Sequence, residues 1–328
     1  MNIDLFKLLM EHYQLSLGSY EIIRKTNRSL LIKCKTNQGI FILKRAFTSS
    51  ERLEFLLQAM EYLREGGIHI PKILKTIHQN DYVSLDGNFY YLQEWVPSIN
   101  PPVTSVEDLI ELSKQIGTVH KISKDYQSPK AHLFFKGISW EYNMKRALFL
   151  LDGMRLVKNE MGDIDFFLHA GELVMHELEK SLSFPFLKNL PFEEQFLCHN
   201  DIHLGNLLKN DSGLFIIDWD FAKYDIPAKD MNGLVKIMGE VEGKWDKTVF
   251  ESMLEAYTKE NPISDQLLSL IYLYLAFPHN ALNLFIKVFT KAKTPQQIKS
   301  LLKFEKEKTE YMLNQIEGHR DRSRVPPI

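Results

Sequence analysis

Three side chains define the chemistry this sequence is equipped for: Asp201, Asn206 and Asp218. Asp201 stands five residues before Asn206, and Asp218 follows Asn206 by twelve. They lie in Cys198-His199-Asn200-Asp201-Ile202-His203-Leu204-Gly205-Asn206 and in Ile216-Ile217-Asp218-Trp219-Asp220. Between the two stretches run Leu207-Leu208, the turn signal Asn210-Asp211-Ser212-Gly213 and a second apolar pair, Leu214-Phe215. That pattern predicts a β-hairpin. Asn206 and Asp218 are symmetric about Ser212, so the hairpin is expected to set them side by side at its open end, with Asp201 in the loop feeding the first strand. One carboxylate as base, with an amide and a carboxylate as hard oxygen ligands, is the set that Mg²⁺-dependent phosphoryl transfer needs. In this reading Asp201 accepts the proton of an attacking hydroxyl. Asn206 and Asp218 hold Mg²⁺ bridging the phosphates of ATP, and Asp220 either joins a second ion or braces the loop.

Other residues fit around that core. Lys44 closes the apolar strand Ile40-Phe41-Ile42-Leu43 and precedes a helix, the place of a lysine that pairs with the α/β-phosphates of ATP. A helix carboxylate should steady it; Glu54 is the preferred candidate over Glu51, which is suited to a helix cap, and Glu61. Thr26-Asn27-Arg28-Ser29 occupies the position of a phosphate-covering turn but has no glycine, so only backbone and hydroxyls, Ser29 among them, could approach a phosphate. Gln93-Glu94-Trp95-Val96 ends a strand before a proline-rich break, and the Glu94 and Val96 backbone can read an adenine edge. His199 is read as a scaffold residue of the loop. Asp230 either accepts hydrogen bonds from that loop or caps the following helix. His199-x-Asp201-x-His203 also has the form of a transition-metal site of a hydrolase, although the neighbouring amide and carboxylates favour a hard cation.

The elements that must position these groups are legible in outline. Strands are expected at 20–23, 30–34, 40–44, 82–85 and 89–92, with turns at Asn37-Gln38-Gly39 and Asp86-Gly87-Asn88. A helix with the stripe Leu53, Leu56, Leu57, Met60, Leu63 follows a Thr48/Glu51 capping box and stops at Gly66-Gly67. Pro97, Pro101 and Pro102 mark a boundary. Beyond them helices are expected at 106–122, 140–158, 163–184, 245–259, 264–276, 278–291 and 295–316. The expected organisation is therefore α+β: a strand-rich N-lobe at 1–96, a mainly helical C-lobe at 97–318 containing the hairpin 194–219, and a polar tail at 319–328.

Composition narrows the function. A formal charge of −2 with 25% charged residues offers no basic excess for nucleic acid. Cys34 and Cys198 alone make no disulfide framework, which fits a reducing cytoplasm, and Cys198 is expected buried at the end of a strand. No secretory leader and no apolar run of about 18 residues, as a membrane span requires, is apparent.

These residues resemble the aminoglycoside/choline phosphotransferase superfamily, which has a protein-kinase-like fold. The resemblance rests on the H-x-D-x₄-N loop at 199–206, the I-D-x-D at 217–220, the strand lysine at 44 and Gly117-Thr118-Val119-His120, and it covers roughly residues 15–290. Tyr224-Asp225-Ile226-Pro227-Ala228-Lys229-Asp230 and Leu275-Ala276-Phe277-Pro278-His279 look closest to its spore-coat, CotS-like branch in Bacillus-type bacteria. The resemblance implies a small β-lobe, a helical lobe and ATP between them. It implies a small hydroxyl-bearing acceptor on the C-lobe helices and, for the branch, other spore coat proteins as partners. Trp140, Glu141, Tyr142 and Asp163–Asp165 are candidates to line an acceptor pocket. Coat-associated members are not all active enzymes, so a catalytically inactive kinase-fold scaffold that binds nucleotide or a partner is the alternative.

Overall fold

The computed structural model describes residues 6, 9–27, 29–126, 140–157, 163–180, 187 and 195–323. Among these the strands are β1 (Leu17–Thr26), β2 (Ser29–Thr36), β3 (Gly39–Ala46), β4 (Val83–Leu85), β5 (Asn88–Glu94), β6 (Phe196–Cys198), β7 (Leu207–Asn210), β8 (Gly213–Ile216) and β9 (Lys223–Asp225). The helices are α1 (Ser50–Glu65), α2 (Val106–Ser123), α3 (Trp140–Val157), α4 (Ile164–Lys180), α5 (Ala228–Glu242), α6 (Lys247–Glu260), α7 (Asp265–Ala276), α8 (His279–Phe289) and α9 (Pro295–Ser323). The chain forms two compact units: Met1–Pro102 with Asp125–Phe134 and Gly205–Phe221, and Val103–Lys124 with Phe135–Leu204 and Ala222–Ile328.

The first unit is built on an antiparallel sheet of order β1-β2-β3-β5-β4. Alternation along β2 sends Leu30, Ile32 and Cys34 inward, where they meet Leu43, Leu92 and the N-terminal Leu9, Met10 and Tyr13. Helix α1 buries the expected stripe of Leu53, Leu56, Leu57, Met60 and Leu63. Its cap is Ser49, not Thr48: the Ser49 hydroxyl accepts the Arg52 N–H at 3.3 Å, three residues ahead as capping geometry demands. Gly66 is the C-cap.

The β7–β8 hairpin belongs to this unit, and its register differs from expectation by one residue. Leu207 pairs with Ile216 and Asn210 with Gly213, so the ladder is centred between Asp211 and Ser212 rather than on Ser212. The Asn206 carbonyl therefore accepts the N–H of Ile217, at 2.9 Å, and Asp218 lies one position past the ladder. Because strand side chains alternate, such an offset would send Asp218 to the opposite face. A left-handed backbone at Asp218, with φ 63°, turns the chain there instead. Phe196–Cys198, expected within the hairpin region, pairs with Lys223–Asp225 in the second unit.

The second unit is mainly helical. α5 packs hard on the loop after β6: a Cβ on Gly233 would come within 2.5 Å of the Ile202 carbonyl oxygen, so only glycine allows this approach. α7 and α8 are the expected helices, broken at Phe277-Pro278. Together Asp265–Phe289 are long and apolar enough for a membrane span by composition, but 67% of the most apolar window is buried within the protein, as for core helices. Helix α9 runs to Ser323, past residue 318 where a polar tail was expected; polar residues such as those at 319–323 are compatible with a helix until a proline intervenes.

Candidate active site

Within the first unit a cavity of about 310 Å³ gathers most of the residues singled out from the sequence. Ser29, Lys44, Glu94, Val96, Asn206, Asp218 and Asp220 all line it. The sheet supplies Lys44 from β3, Ser29 from the β1–β2 turn, and Glu94 and Val96 from the end of β5, while the hairpin supplies the rest. Arg24, Arg45 and Gln93 also line the cavity. Sequence reading missed these three because a charged or amide side chain on a strand gives no sign of the face it takes.

The electrostatic centre of the cavity is Lys44. Its Nζ lies 2.9 Å from Asp218 Oδ1 and 3.5 Å from Asp220 Oδ1. Burial works against the charge on this ammonium, but the Tyr91 oxygen and the two carboxylates outweigh it and raise the pKa. Burial pushes the Tyr91 hydroxyl up to about 12, against the pull of Lys44.

The expected partner on α1 is not the one that holds the lysine here. Glu54 Oε1 accepts the Tyr82 hydroxyl at 3.1 Å, and Glu61 is engaged by Arg64 at 2.6 and 3.0 Å. Lys44 instead goes to the pair of hairpin aspartates, where two negative charges act on it at once.

At the end of β5, the Glu94 N–H donates to the Lys72 carbonyl at 2.9 Å and the Trp95 N–H to the Ile40 carbonyl at 3.1 Å. The Trp95 ring carries Lys33 Nζ over its face at 3.9 Å.

The donor set suits a hard divalent cation. Asn206, Asp218 and Asp220 present amide and carboxylate oxygens, and no histidine or cysteine lines the cavity among the described residues. The Lys44 ammonium stands where positive charge is called for, between the two carboxylates.

The second unit carries the loop after β6. Asp230, in the first turn of α5, is fully buried, and its carboxylate accepts the N–H of His199 at 2.7 Å and of Asn200 at 2.6 Å. His120 Nε2 lies 3.1 Å from the same carboxylate. A carboxylate only accepts, so Nε2 carries the ring proton and Nδ1 accepts from the Tyr257 hydroxyl, 2.8 Å away. That hydroxyl in turn accepts from Asn261 Nδ2 at 2.9 Å. Burial alone would raise the Asp230 pKa, yet the hydrogen bond from His120, with the neighbouring His199 and the Asn200 N–H, lowers it. Asn200 takes a left-handed backbone, φ 65°, and the Asp201 N–H is received by His199 Nδ1 at 3.2 Å. These bonds fix the backbone that carries the Asp201 side chain, which is 40% exposed and 3.5 Å from His203 Nε2.

His120 entered the sequence reading only through a family-like motif, and Tyr257 and Asn261 not at all. An i, i+4 pair on a helix is indistinguishable from any other until the fold brings it against a buried histidine. The transition-metal pattern at 199–203 does not assemble into a group close enough to share an ion, and His199 Nδ1 accepts the Asp201 N–H. Among the described residues, the group close enough to share a metal is His120, Cys198 and Asp230. His120 and Asp230 are already joined there by a hydrogen bond, and burial, with the Asp230 charge, keeps the Cys198 thiol well above its usual pKa.

The acceptor-pocket candidates Trp140, Glu141 and Asp163 have partners within the second unit. Glu141 pairs with Lys145 at 2.8 Å and Asp163 with Lys306 at 2.8 Å, and the Trp140 ring lies 4.6 Å from that of Tyr274.

Comparison with known proteins agrees with this geometry. Residues 23–263 match the model of the phosphotransferase enzyme family, APH. Spore coat protein S of Bacillus subtilis (strain 168) is 25% identical over 286 residues, covering 82% of this chain and 80% of that protein. A crystal structure of an aminoglycoside phosphotransferase from Alicyclobacillus acidocaldarius superposes with a TM-score of 0.67 at 17% identity, covering 96% of each chain. Amicoumacin kinase, solved in complex with AMP-PNP, Ca²⁺ and Ami, gives 0.64 at 18% identity, over 94% of this chain and 93% of that one. The fold is the α+β, protein-kinase-like fold of these enzymes.

Proposed function

We propose that this chain, which belongs to the phosphotransferase enzyme family, transfers the γ-phosphate of ATP, with Mg²⁺, to a hydroxyl of a small molecule. The observation that carries this reading is the convergence of Lys44, Asn206, Asp218 and Asp220 on one cavity. Four functional groups more than 150 residues apart at the extremes of the sequence have no packing reason to line a common space. With the Glu94 and Trp95 N–H groups used by the sheet, the adenine edge is read by the Glu94 carbonyl and the Val96 N–H. Lys44 exchanges Asp218 for the α/β-phosphates, and Ser29 covers them from the β1–β2 turn. Asn206 and Asp218, joined by Asp220, would hold Mg²⁺, which when bound neutralises charge on the phosphates.

Asp201 is the base. As the acceptor oxygen forms its bond to the γ-phosphorus, the hydroxyl proton passes to Asp201, and the bond from phosphorus to the ADP oxygen breaks. Asp230, His199 and His120 take no part in bond making; they hold the loop.

The similarity to spore coat protein S favours a coat-associated setting and a second reading, a kinase-fold scaffold that binds nucleotide without turning it over. One experiment separates the two. Calorimetry with Mg·ATP is expected to show binding, and a small-metabolite pool incubated with labelled ATP is expected to yield a phosphorylated product that Asp201→Ala abolishes while its ATP affinity stays within about twofold. Binding without any labelled product selects the scaffold; no Mg²⁺-dependent binding removes both.

A further inference from the structure

We infer that Arg52 is a positioning residue for the metal end of the nucleotide cavity: through the Asp220 carbonyl its guanidinium fixes the segment that carries the Asp218 and Asp220 carboxylates. The inference rests on the reading of that cavity as a Mg·ATP site, and neither the spacing of the sequence motifs nor the phosphotransfer reading assigns Arg52 a role.

Arg52 lies in the first turn of α1, next to the cap. Its own N–H is held by the Ser49 hydroxyl at 3.3 Å, so its backbone is fixed at the helix start. From there Nη2 donates to the Asp220 carbonyl oxygen at 3.2 Å. Burial lowers the Arg52 pKa and the Asp220 charge opposes the fall, so the two groups act on each other as charges as well as through the hydrogen bond.

Other groups hold the same segment: Lys44 takes the Asp218 and Asp220 carboxylates at 2.9 and 3.5 Å, and Trp219 fixes the backbone between them. Trp219 is buried and its Nε1–H donates to the Ile216 carbonyl at 3.1 Å, while Phe221 is 63% exposed. Just before it, Asp218 holds a left-handed φ of 63°, a conformation a non-glycine residue keeps only when its surroundings impose it. Trp219 secures the segment from the hairpin side and Arg52 from α1. With one grip lost, both carboxylates gain freedom relative to Asn206, and the three oxygens no longer start from a common arrangement. This also gives α1 a link to the metal end that does not pass through a lysine–glutamate pair.

A mere brace between α1 and the hairpin would change stability alone, so the test reads metal dependence. ATP binding is followed by calorimetry across a Mg²⁺ titration and again in EDTA, together with the thermal midpoint, for the wild type, Arg52→Met, Arg52→Gln and Arg52→Lys. Arg52→Met is expected to raise the Mg²⁺ concentration for half-maximal coupling to ATP about tenfold, the size of a lost charge-assisted hydrogen bond, while ATP binding in EDTA stays within about twofold. Arg52→Gln is two bonds shorter and uncharged, so it falls short of the carbonyl and is expected to lose as much as Arg52→Met, whereas Arg52→Lys keeps the charge and most of the reach and is expected to recover part of the loss. A Mg²⁺ dependence in Arg52→Met that coincides with the wild type overturns the inference and leaves the Mg·ATP reading intact. So does a change that follows the fall in thermal midpoint equally in all three variants. If Arg52→Met does not fold, Arg52→Lys decides: a shift of several-fold is expected, and none overturns the inference. A wild type without Mg²⁺-dependent ATP binding removes both readings.

Discussion

The Lys44 ammonium lies 2.9 Å from Asp218 Oδ1, across 174 residues of sequence, so the two charges neutralise one another within the cavity. In the proposed Mg·ATP site each would trade its partner for a component of Mg·ATP, and the lysine would compete with the cation for the same oxygen.

That competition makes Lys44→Met a two-signed variant. Without the ammonium, Asp218 and Asp220 face each other's charge, so Mg²⁺ alone is expected to bind several-fold more tightly than in the wild type. Mg·ATP is expected to bind at least about tenfold more weakly, because the phosphates lose their lysine. Calorimetry with Mg²⁺ alone and then with Mg·ATP checks both signs, and weaker binding in both titrations would contradict the competition.

The Asp230 carboxylate holds three donors in a site without water access: two backbone N–H groups and the His120 ring. Asp230→Asn sets an N–H₂ against at least one of them and is expected to cost about 2–4 kcal/mol in denaturant unfolding. The pH dependence has a definite sign. The folded pKa of Asp230 is lowered from its ordinary 3.8, so its contribution is complete above that value and lost as pH falls below it through the folded pKa. The wild type should therefore lose its advantage over Asp230→Asn below about pH 3.8, which unfolding curves at a series of pH values measure.

How much of this could be read in the sequence depended on the kind of signal. Lys44, Asn206, Asp218 and Asp220 were legible because turn chemistry and strand alternation are local, and local rules place a hairpin and its ends to within a residue. The one-residue offset in the hairpin was not legible: Asn210-Asp211-Ser212-Gly213 suits either centre, and the close approach of Gly213 to His69 in the observed register is a tertiary contact. Glu54 illustrates the opposite limit. Which of several glutamates on α1 meets the lysine, or none, depends on Tyr82 and Arg64, whose positions are tertiary facts. The Tyr257–His120–Asp230 chain is likewise built from three helices distant in sequence, and no pattern within any one of them announces it.

His279 makes the helical unit acid-sensitive. Its ring lies 4.5 Å from that of Tyr274 and 4.6 Å from that of Phe277, and burial, with Lys308 and Lys229 adding to it, depresses its pKa from 6.5 to about 3. Above pH 6.5 the group is neutral folded and unfolded and costs nothing. As pH falls toward about 3 the unfolded chain takes up a proton that the folded chain refuses, so stability declines across that window. His279→Phe is expected to keep stability at neutral pH within about 1 kcal/mol and to abolish on the order of 2 kcal/mol of the loss between neutrality and pH 4. Parallel pH profiles of the two proteins would show that the ring is not the titrating element.

Gly213 opens β8 beside the hairpin turn and packs against His69. Its φ is +127°, and a Cβ there would come within 2.7 Å of the His69 ring, which itself stacks on Phe215 at a centroid distance of 5.1 Å. The Ile216 N–H also donates to the His69 carbonyl at 3.0 Å, so the strand leading to Asp218 is aligned against this one residue. Gly213→Ala meets two penalties, backbone strain and the clash, and is expected to cost about 2–4 kcal/mol. His69→Ala in the same chain removes the clash but not the strain, so the double variant should recover only part of the loss, with a coupling energy of about 1 kcal/mol or more. Because the displaced strand carries Asp218, Gly213→Ala should also weaken Mg·ATP binding beyond what its stability explains, and the double variant should restore it more fully than it restores the melting temperature. Additive effects of the two substitutions on both readouts would mean that His69 does not set the position of this strand.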